Sequence, residues 1–433
     1  MFSLFKQKRP IAGSVIYRGT MSPRAEEYGF LRKKGLDIEV LPGDEQTHWS
    51  MKLRHPKLGE AKVAAFRNMP PYPLWEIQMT QALTPSEKEE FAAAGVGVTV
   101  VIENPVGHVL KDRKRLLCFL RWLMADDGLF VSDHTSTLIW TRESLDEELS
   151  HGADLDVSQI YCTHAVSGES AADPTWYHTH GLGEIGAFDF DVINPNEEVF
   201  GGRGDLDRAI AFASVDGMLK PGATFSCFEP GGEVMAVDAA EFDRSAATTD
   251  AAVRAMDDDS HQINRVVLCE KGRGFLPFFK KRPRPSSVLS SEIPEGSIVY
   301  FSKTASDLMG ERARKTVAVF EKLRQEFERY EFPALAKIAY QNQSGGHEHL
   351  WFTVHGVQGG TIDATLENEP FDIPSLKAGD RGQHSIEQLS DWMVMSPAGA
   401  VSPRGGKAAR LLRQNPDKLE QLLAIMRRAE AES

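Results

Sequence analysis

Apolar and polar residues alternate in short runs along the first part of the chain. Leu36-Asp37-Ile38-Glu39-Val40, His48-Trp49-Ser50-Met51-Lys52-Leu53 and Leu74-Trp75-Glu76-Ile77-Gln78-Met79 each place apolar side chains two apart, the period of a half-buried strand. Pro42-Gly43-Asp44 and Pro70-Pro71 supply turn chemistry between them, which predicts an antiparallel meander. The period then changes. Thr84-Pro85-Ser86-Glu87 is a capping box with proline at the first helical position, predicting a helix to about Ala94 with Gly95 as its stop. The β-branched run Val96 to Glu103 predicts a buried strand. Leu116, Leu117, Leu120, Leu123 and Met124 form one stripe of a helix from Leu110 to Asp127, ended by Gly128. Two strands, Leu129 to Ser132 and Ser136 to Trp140, follow.

The middle of the chain continues in the same mixed manner. A strand within Asp154 to Ser167 carries Ile160, Cys162 and His164 on one face, with His164 expected to be a satisfied core histidine. Asp205 opens a helix to about Met218. A long amphipathic helix is predicted from Asp307 to Tyr330, with Ala313, Val317, Phe320 and Phe327 inward. Beyond Phe332 short strands dominate, including a hairpin through Gln358-Gly359-Gly360 and a turn at Lys377-Ala378-Gly379-Asp380. A helix from about Lys407 to Ala431 closes the chain. The pattern predicts an α+β protein with antiparallel sheet and helix layers at the N-terminus and a small, bent, barrel-like sheet at the C-terminus. The expected domains are residues 1–150, 151–330 and 331–433, the last with its terminal helix.

Composition narrows the class. The 433 residues are 41% hydrophobic and 26% charged, as in a folded globular protein. No apolar run approaches the roughly 20 residues of a membrane helix, and the N-terminus has its charges after its apolar residues, the reverse of a secretory leader. A cytoplasmic location without membrane contact is expected. A net charge of −13 disfavours nucleic-acid binding and favours a basic partner. The basic run from Lys271 to Arg284 is broken by prolines and reads as a loop. The acidic run around Asp257-Asp258-Asp259 lacks the alternating ligands and glycine bend of a cation loop. Cys118, Cys162, Cys227 and Cys269 are widely spaced and read as buried thiols.

One stretch concentrates ligand-type side chains: Trp176-Tyr177-His178-Thr179-His180-Gly181-Leu182-Gly183-Glu184, followed by Phe188-Asp189-Phe190-Asp191. On a strand His178 and His180 face the same side, about 7 Å apart along it. Two more ligands would complete a site for a divalent metal. Glu184 gives a His-x-His-x-x-x-Glu spacing similar to part of the cupin motif, without its flanking glycines. Asp191 stands where the motif His-x-His-x7-Ser-x-x-Asp of metal-dependent isopeptidases has its aspartate, but Phe188 takes the serine position. A third option draws a ligand from His347-Glu348-His349. The plain alternative has both histidines holding a tight Gly181/Gly183 turn by hydrogen bonds, with Asp189 and Asp191 on the wet face of a strand. Gly201-Gly202-Arg203-Gly204-Asp205 reads as a turn and cap rather than a phosphate site.

The C-terminal pieces Glu348-His349-Leu350-Trp351-Phe352, Leu366-Glu367-Asn368-Glu369-Pro370, Lys377-Ala378-Gly379-Asp380 and Asp391-Trp392-Met393 stand in order over roughly residues 332–404. They resemble an uncharacterised bacterial family, domain of unknown function 2314. Gly399-Ala400-Val401-Ser402-Pro403-Arg404 replaces the Gly-Gly-Tyr-Thr-x-Arg run common in that family. The preceding region, with His178-Thr179-His180-Gly181-Leu182, resembles domain of unknown function 4026, which often precedes the other. Neither resemblance implies an activity or catalytic residues. The expected function is non-catalytic recognition of a protein partner, with Trp351, Lys377, Asp380, Asp391 and Trp392 as its surface. The alternative is a metal-dependent hydrolase using His178 and His180 with Asp191 or Glu184.

Overall fold

The computed structural model describes residues 10–67, 83–103, 109–167, 175–193, 204–246, 254, 264–271, 282–289, 298–299, 301–343, 345–417 and 420. The fold is α+β, and the chain forms two compact units, each discontinuous in sequence. One unit draws on residues 1–70, 96–138 and 157–305, the other on residues 71–95, 139–156 and 306–433. The expected strand at Leu74 to Met79, the Asp257-Asp258-Asp259 run and most of the basic loop lie outside the described residues.

Among the described residues the first unit carries two large sheets and a two-stranded ribbon that pairs Phe228–Glu229 with Ile298–Val299. In one, the strands run side by side in the order Asp37–Pro42, Thr47–His55, Gly59–Phe66, Ala94–Ile102, Ile11–Arg18 and Gly128–Asp133. The Thr47–His55 strand buries Thr47, Trp49, Met51 and Leu53 and turns the intervening residues outward, the alternation of a sheet with one dry face. The helix Val109–Met124 covers this sheet with Leu116, Leu117, Phe119, Leu120, Leu123 and Met124. Each such side chain contributes about 1.5–3 kcal/mol when fully buried. Gly13 permits the close approach, because a Cβ there would lie 2.8 Å from Leu120 Cδ1. The expected stop at Gly128 is a difference: Ala125 takes the left-handed conformation at φ 43°, and Gly128 starts the next strand. Gly95 likewise lies inside a strand, and the helix Pro85–Ala92 of the second unit ends before it, with both hydrogen bonds of its capping box in place.

The second sheet is mixed, in the order Thr224–Ser226, Glu233–Asp238, Arg265–Glu270, Asp189–Ile193, Thr175–His180 and Cys162–Ser167. Among its described strand pairs, only Asp189–Ile193 and Arg265–Glu270 run parallel. Its two faces are distinguished by single contacts. Tyr177 donates its hydroxyl to Asp207 Oδ2 on the helix Gly204–Val215 (2.6 Å), so odd-numbered residues of the Thr175–His180 strand face that helix. Trp176 belongs to the opposite layer, with Ile193, Val237, Phe242, Val267 and Cys269. His178 and His180 share the side of Trp176.

The second unit is built on a five-stranded antiparallel sheet, in the order Arg381–Ser385, Thr361–Leu366, His347–Gln358, Ala334–Gln341 and Leu389–Val394. The sheet is bent but open, so the expected barrel-like shape stops short of closure. Gly359 and Gly360 both have positive φ (59° and 82°), as a tight two-residue hairpin requires. The predicted helix from Asp307 to Tyr330 is two helices, Lys303–Lys315 and Val317–Phe327. Thr316 breaks it: its hydroxyl donates to the Arg312 carbonyl (2.8 Å) and accepts from Trp392 Nε1 (2.9 Å). Arg312 also donates to both carboxylate oxygens of Glu148 and to the carbonyls of Asp154 and Pro403, gathering residues 139–156 into this unit. The closing helix is Lys407–Gln414, and most of its expected continuation lies outside the described residues.

Candidate metal centre

The edge of the second sheet carries the chemistry. Cys162–Ser167 and Thr175–His180 run antiparallel with His164 opposite His178 and Cys162 opposite His180. Residues directly opposite one another share a face, as do residues two apart on one strand. Three imidazoles therefore converge. Ring centroids are 4.5 Å apart for His164 and His180, 4.8 Å for His178 and His180, and 5.7 Å for His164 and His178. One nitrogen from each lies within 4.8 Å of the others. His178 is fully buried, while His164 and His180 are partly exposed.

Local structure fixes each ring. His178 stacks on Trp176 at 3.9 Å with 25° between planes, and the Arg254 guanidinium lies 5.9 Å above the Trp176 ring. Immediately after His180 the chain turns at Gly181, with φ 116° and so little room that a Cβ would stand 2.6 Å from the Ile160 carbonyl oxygen. Only glycine passes there without strain. The turn is tied by Asp189, which accepts from Thr179 Oγ1 (2.9 Å), Leu182 N (3.2 Å) and Gly183 N (2.9 Å). Burial pushes the Asp189 carboxyl up to about 6, against the pull of Arg265 and those three donors.

Asp191 stands opposite His178 on the next strand, but both its oxygens are taken by arginines. Arg265 Nη1 donates to Oδ1 (2.5 Å) and Arg254 Nε to Oδ2 (2.7 Å). Glu184 is exposed on a single 3-10 turn. The structure thus brings His178 and His180 together with His164, and gathers neither Glu184 nor Asp191 into the cluster. Asp189 and Asp191 are buried, not on a wet face. His347 and His349 lie in the second unit, where His349 Nδ1 is 2.9 Å from Ser390 Oγ.

His164, read from sequence as a core residue, is the member that was missed. Its signal was a repeated spacing: Cys162-x-His164 and His178-x-His180 run toward each other in an antiparallel pair. Reading it required the strand register, which the intervening residues hide.

The expected recognition surface divides. Trp392 is 1% exposed and stacks on Phe320 at 5.1 Å, so it is a core residue. Asp391 is buried and accepts from Arg404 Nη1 (3.0 Å). Lys377 and Asp380 are exposed in their turn, Asp380 accepting from the Lys377 backbone N–H (2.8 Å). Trp351 is half-buried on the open side of the sheet, with the Lys337 ammonium 5.3 Å over its ring.

A serine–histidine pair also occurs: Ser14 Oγ lies 2.8 Å from His134 Nε2 and 2.8 Å from Thr99 Oγ1. Ser14 has no exposed surface, so this is a polar bridge between strands rather than an accessible nucleophile.

Among the described residues no helix is long and apolar enough to cross a membrane. No curated protein and no solved structure matches the chain. Residues 307–420 fit the family described as "Uncharacterized protein conserved in bacteria (DUF2314)", and the histidine cluster lies outside that stretch.

Proposed function

We propose that this is a metal-binding protein of the bacterial cytoplasm, and that its centre is His164, His178 and His180. The observation that carries this is the convergence of three imidazole nitrogens within 4.8 Å on two paired strands. Nitrogen ligands in a compact group suit zinc above calcium or magnesium, which prefer oxygen. The role that fits best is non-catalytic. The two carboxylates that the sequence offered as further ligands of a hydrolytic centre are held by two arginines (Asp191) or exposed on a turn (Glu184). The resemblance of the region around His178-Thr179-His180-Gly181-Leu182 to domain of unknown function 4026 belongs to the same reading.

The test is metal content by inductively coupled plasma mass spectrometry on untagged protein. One equivalent of zinc is expected, lost on replacing His164, His178 or His180 by alanine. Folded wild type that holds no metal, and takes none up from zinc-containing buffer, would sink the reading.

A second role, recognition of a basic protein partner, is supported by half-buried Trp351 on the open side of the second unit's sheet and by the net charge of −13. Replacing Trp351 by alanine should then abolish co-purification of a specific partner without changing the melting temperature.

A further inference from the structure

We propose that Cys162 is the fourth ligand, so that the centre is a closed zinc site of one cysteine and three histidines. This rests on the histidine reading above and extends it to a residue of different chemistry. Cys162 pairs with His180 across the two strands and is two residues from His164, so all four side chains leave the same face. Its Sγ lies 3.5 Å from His164 Nε2. In a tetrahedral zinc site, sulfur and nitrogen ligands stand about 3.6 Å apart. That pair is therefore already at ligand spacing, the three imidazole nitrogens lie within 4.8 Å of one another, and metal binding would draw the sulfur and the His178 and His180 rings together.

The surroundings suit a thiolate. Thr137 Oγ1 is 2.7 Å from Sγ, placed to donate a hydrogen bond to the charged sulfur. Thr137 holds this position with φ 54°, a left-handed conformation uncommon for a β-branched residue. The Gly181 turn packs against the backbone of Ser136, Ile160 and Tyr161, which fixes the segment bearing Thr137 close to the strand bearing Cys162. Cys162 is partly exposed, so metal can reach it.

A thiolate with three imidazoles fills a tetrahedron. Such a site leaves no position for an activated water and prefers zinc, or cobalt as its spectroscopic substitute, over magnesium or calcium. The metal would then tie the edge strand of the second sheet to its neighbour and hold the thiol against oxidation.

The experiment is cobalt(II) loading of the full-length, metal-stripped protein, read by visible and near-ultraviolet absorption. One equivalent of cobalt with intense tetrahedral d–d bands and a thiolate-to-cobalt charge-transfer band is expected. Cys162→Ser should lose the charge-transfer band, keep cobalt on the three histidines, and bind at least about tenfold more weakly, since even outer-shell partners are worth that much. Alkylation of wild type, mapped by mass spectrometry, needs no variant: Cys162 should react in the stripped protein and be protected when metal is bound. One equivalent of cobalt with no charge-transfer band and no protection would overturn the role of Cys162 and leave the histidine site standing. Failure of wild type to bind cobalt at all would overturn both.

Discussion

His164 and His178 stand directly opposite one another on paired antiparallel strands, with ring centroids 5.7 Å apart and an interplanar angle of 75°. His180 closes the triangle, its ring centroid 4.5 Å from that of His164 and 4.8 Å from that of His178. The two partners sit on different strands, so neither residue announces the other in the sequence.

This relationship makes His164 equivalent to the two histidines of the central motif. His164→Ala should cost metal binding as much as His180→Ala. Asp191→Asn should leave the metal in place but destabilise the fold by about 3 kcal/mol, because Arg254 and Arg265 lose the charge that compensates them in a buried setting. Metal content and urea denaturation of the three variants, side by side, decide between these roles. Loss of metal in Asp191→Asn with unchanged stability would reverse the assignment.

Gly181→Ala combines an unfavourable φ of 116° with a Cβ pressed against the Ile160 carbonyl. A loss of about 2–4 kcal/mol is expected, together with weaker metal binding, because His180 must shift with the turn. Thermal melts and zinc titration of this variant read both effects. A wild-type melting temperature would show that the turn relaxes freely.

Trp392 and Trp351 should behave oppositely. Trp392→Ala opens a cavity beside Phe320 and removes the hydrogen bond from Trp392 Nε1 to the Thr316 hydroxyl, at a cost of about 3–5 kcal/mol. Trp351→Ala on the open side should cost less than about 1 kcal/mol. Denaturation midpoints at equal slope are the comparison, and a larger loss at Trp351 would place the core of this unit elsewhere.

Acid should weaken the second unit through His384. Burial holds this imidazole below its ordinary value, although the Ala364 carbonyl and Asp363 pull it upward. Its Nδ1 is 2.5 Å from the Tyr340 hydroxyl and its Nε2 is 3.4 Å from the Ala364 oxygen, an arrangement that suits the neutral ring. The unfolded chain takes up the proton first as pH falls below about 6.5, so stability is full at neutral pH and declines through that window, no more steeply than about 1.4 kcal/mol per pH unit for one proton. His384→Gln should flatten the decline measured by denaturation between neutral pH and pH 5. An unchanged slope would move its origin to another group.

The α+β class, the first two strands of the meander, the capping box at Thr84 and the glycine hairpin at Gly359-Gly360 were legible in the chain, whereas the meander's third strand, Gly59–Phe66, was not. They depend on period and on local backbone preference, which a short window contains. His178 and His180 were legible for the same reason, because two residues apart on a strand is a local fact. Register and burial were not legible, and the folded chain had to supply them. Antiparallel pairing of two strands brought Cys162 and His164 to the face of the other histidines. Two arginines on its oxygens turned Asp191 from an apparent ligand into a structural partner. Packing against Phe320 drew Trp392 inward while leaving Trp351 on the open side. A side chain's type is written in the chain, but its neighbours are chosen by which faces the fold must keep dry.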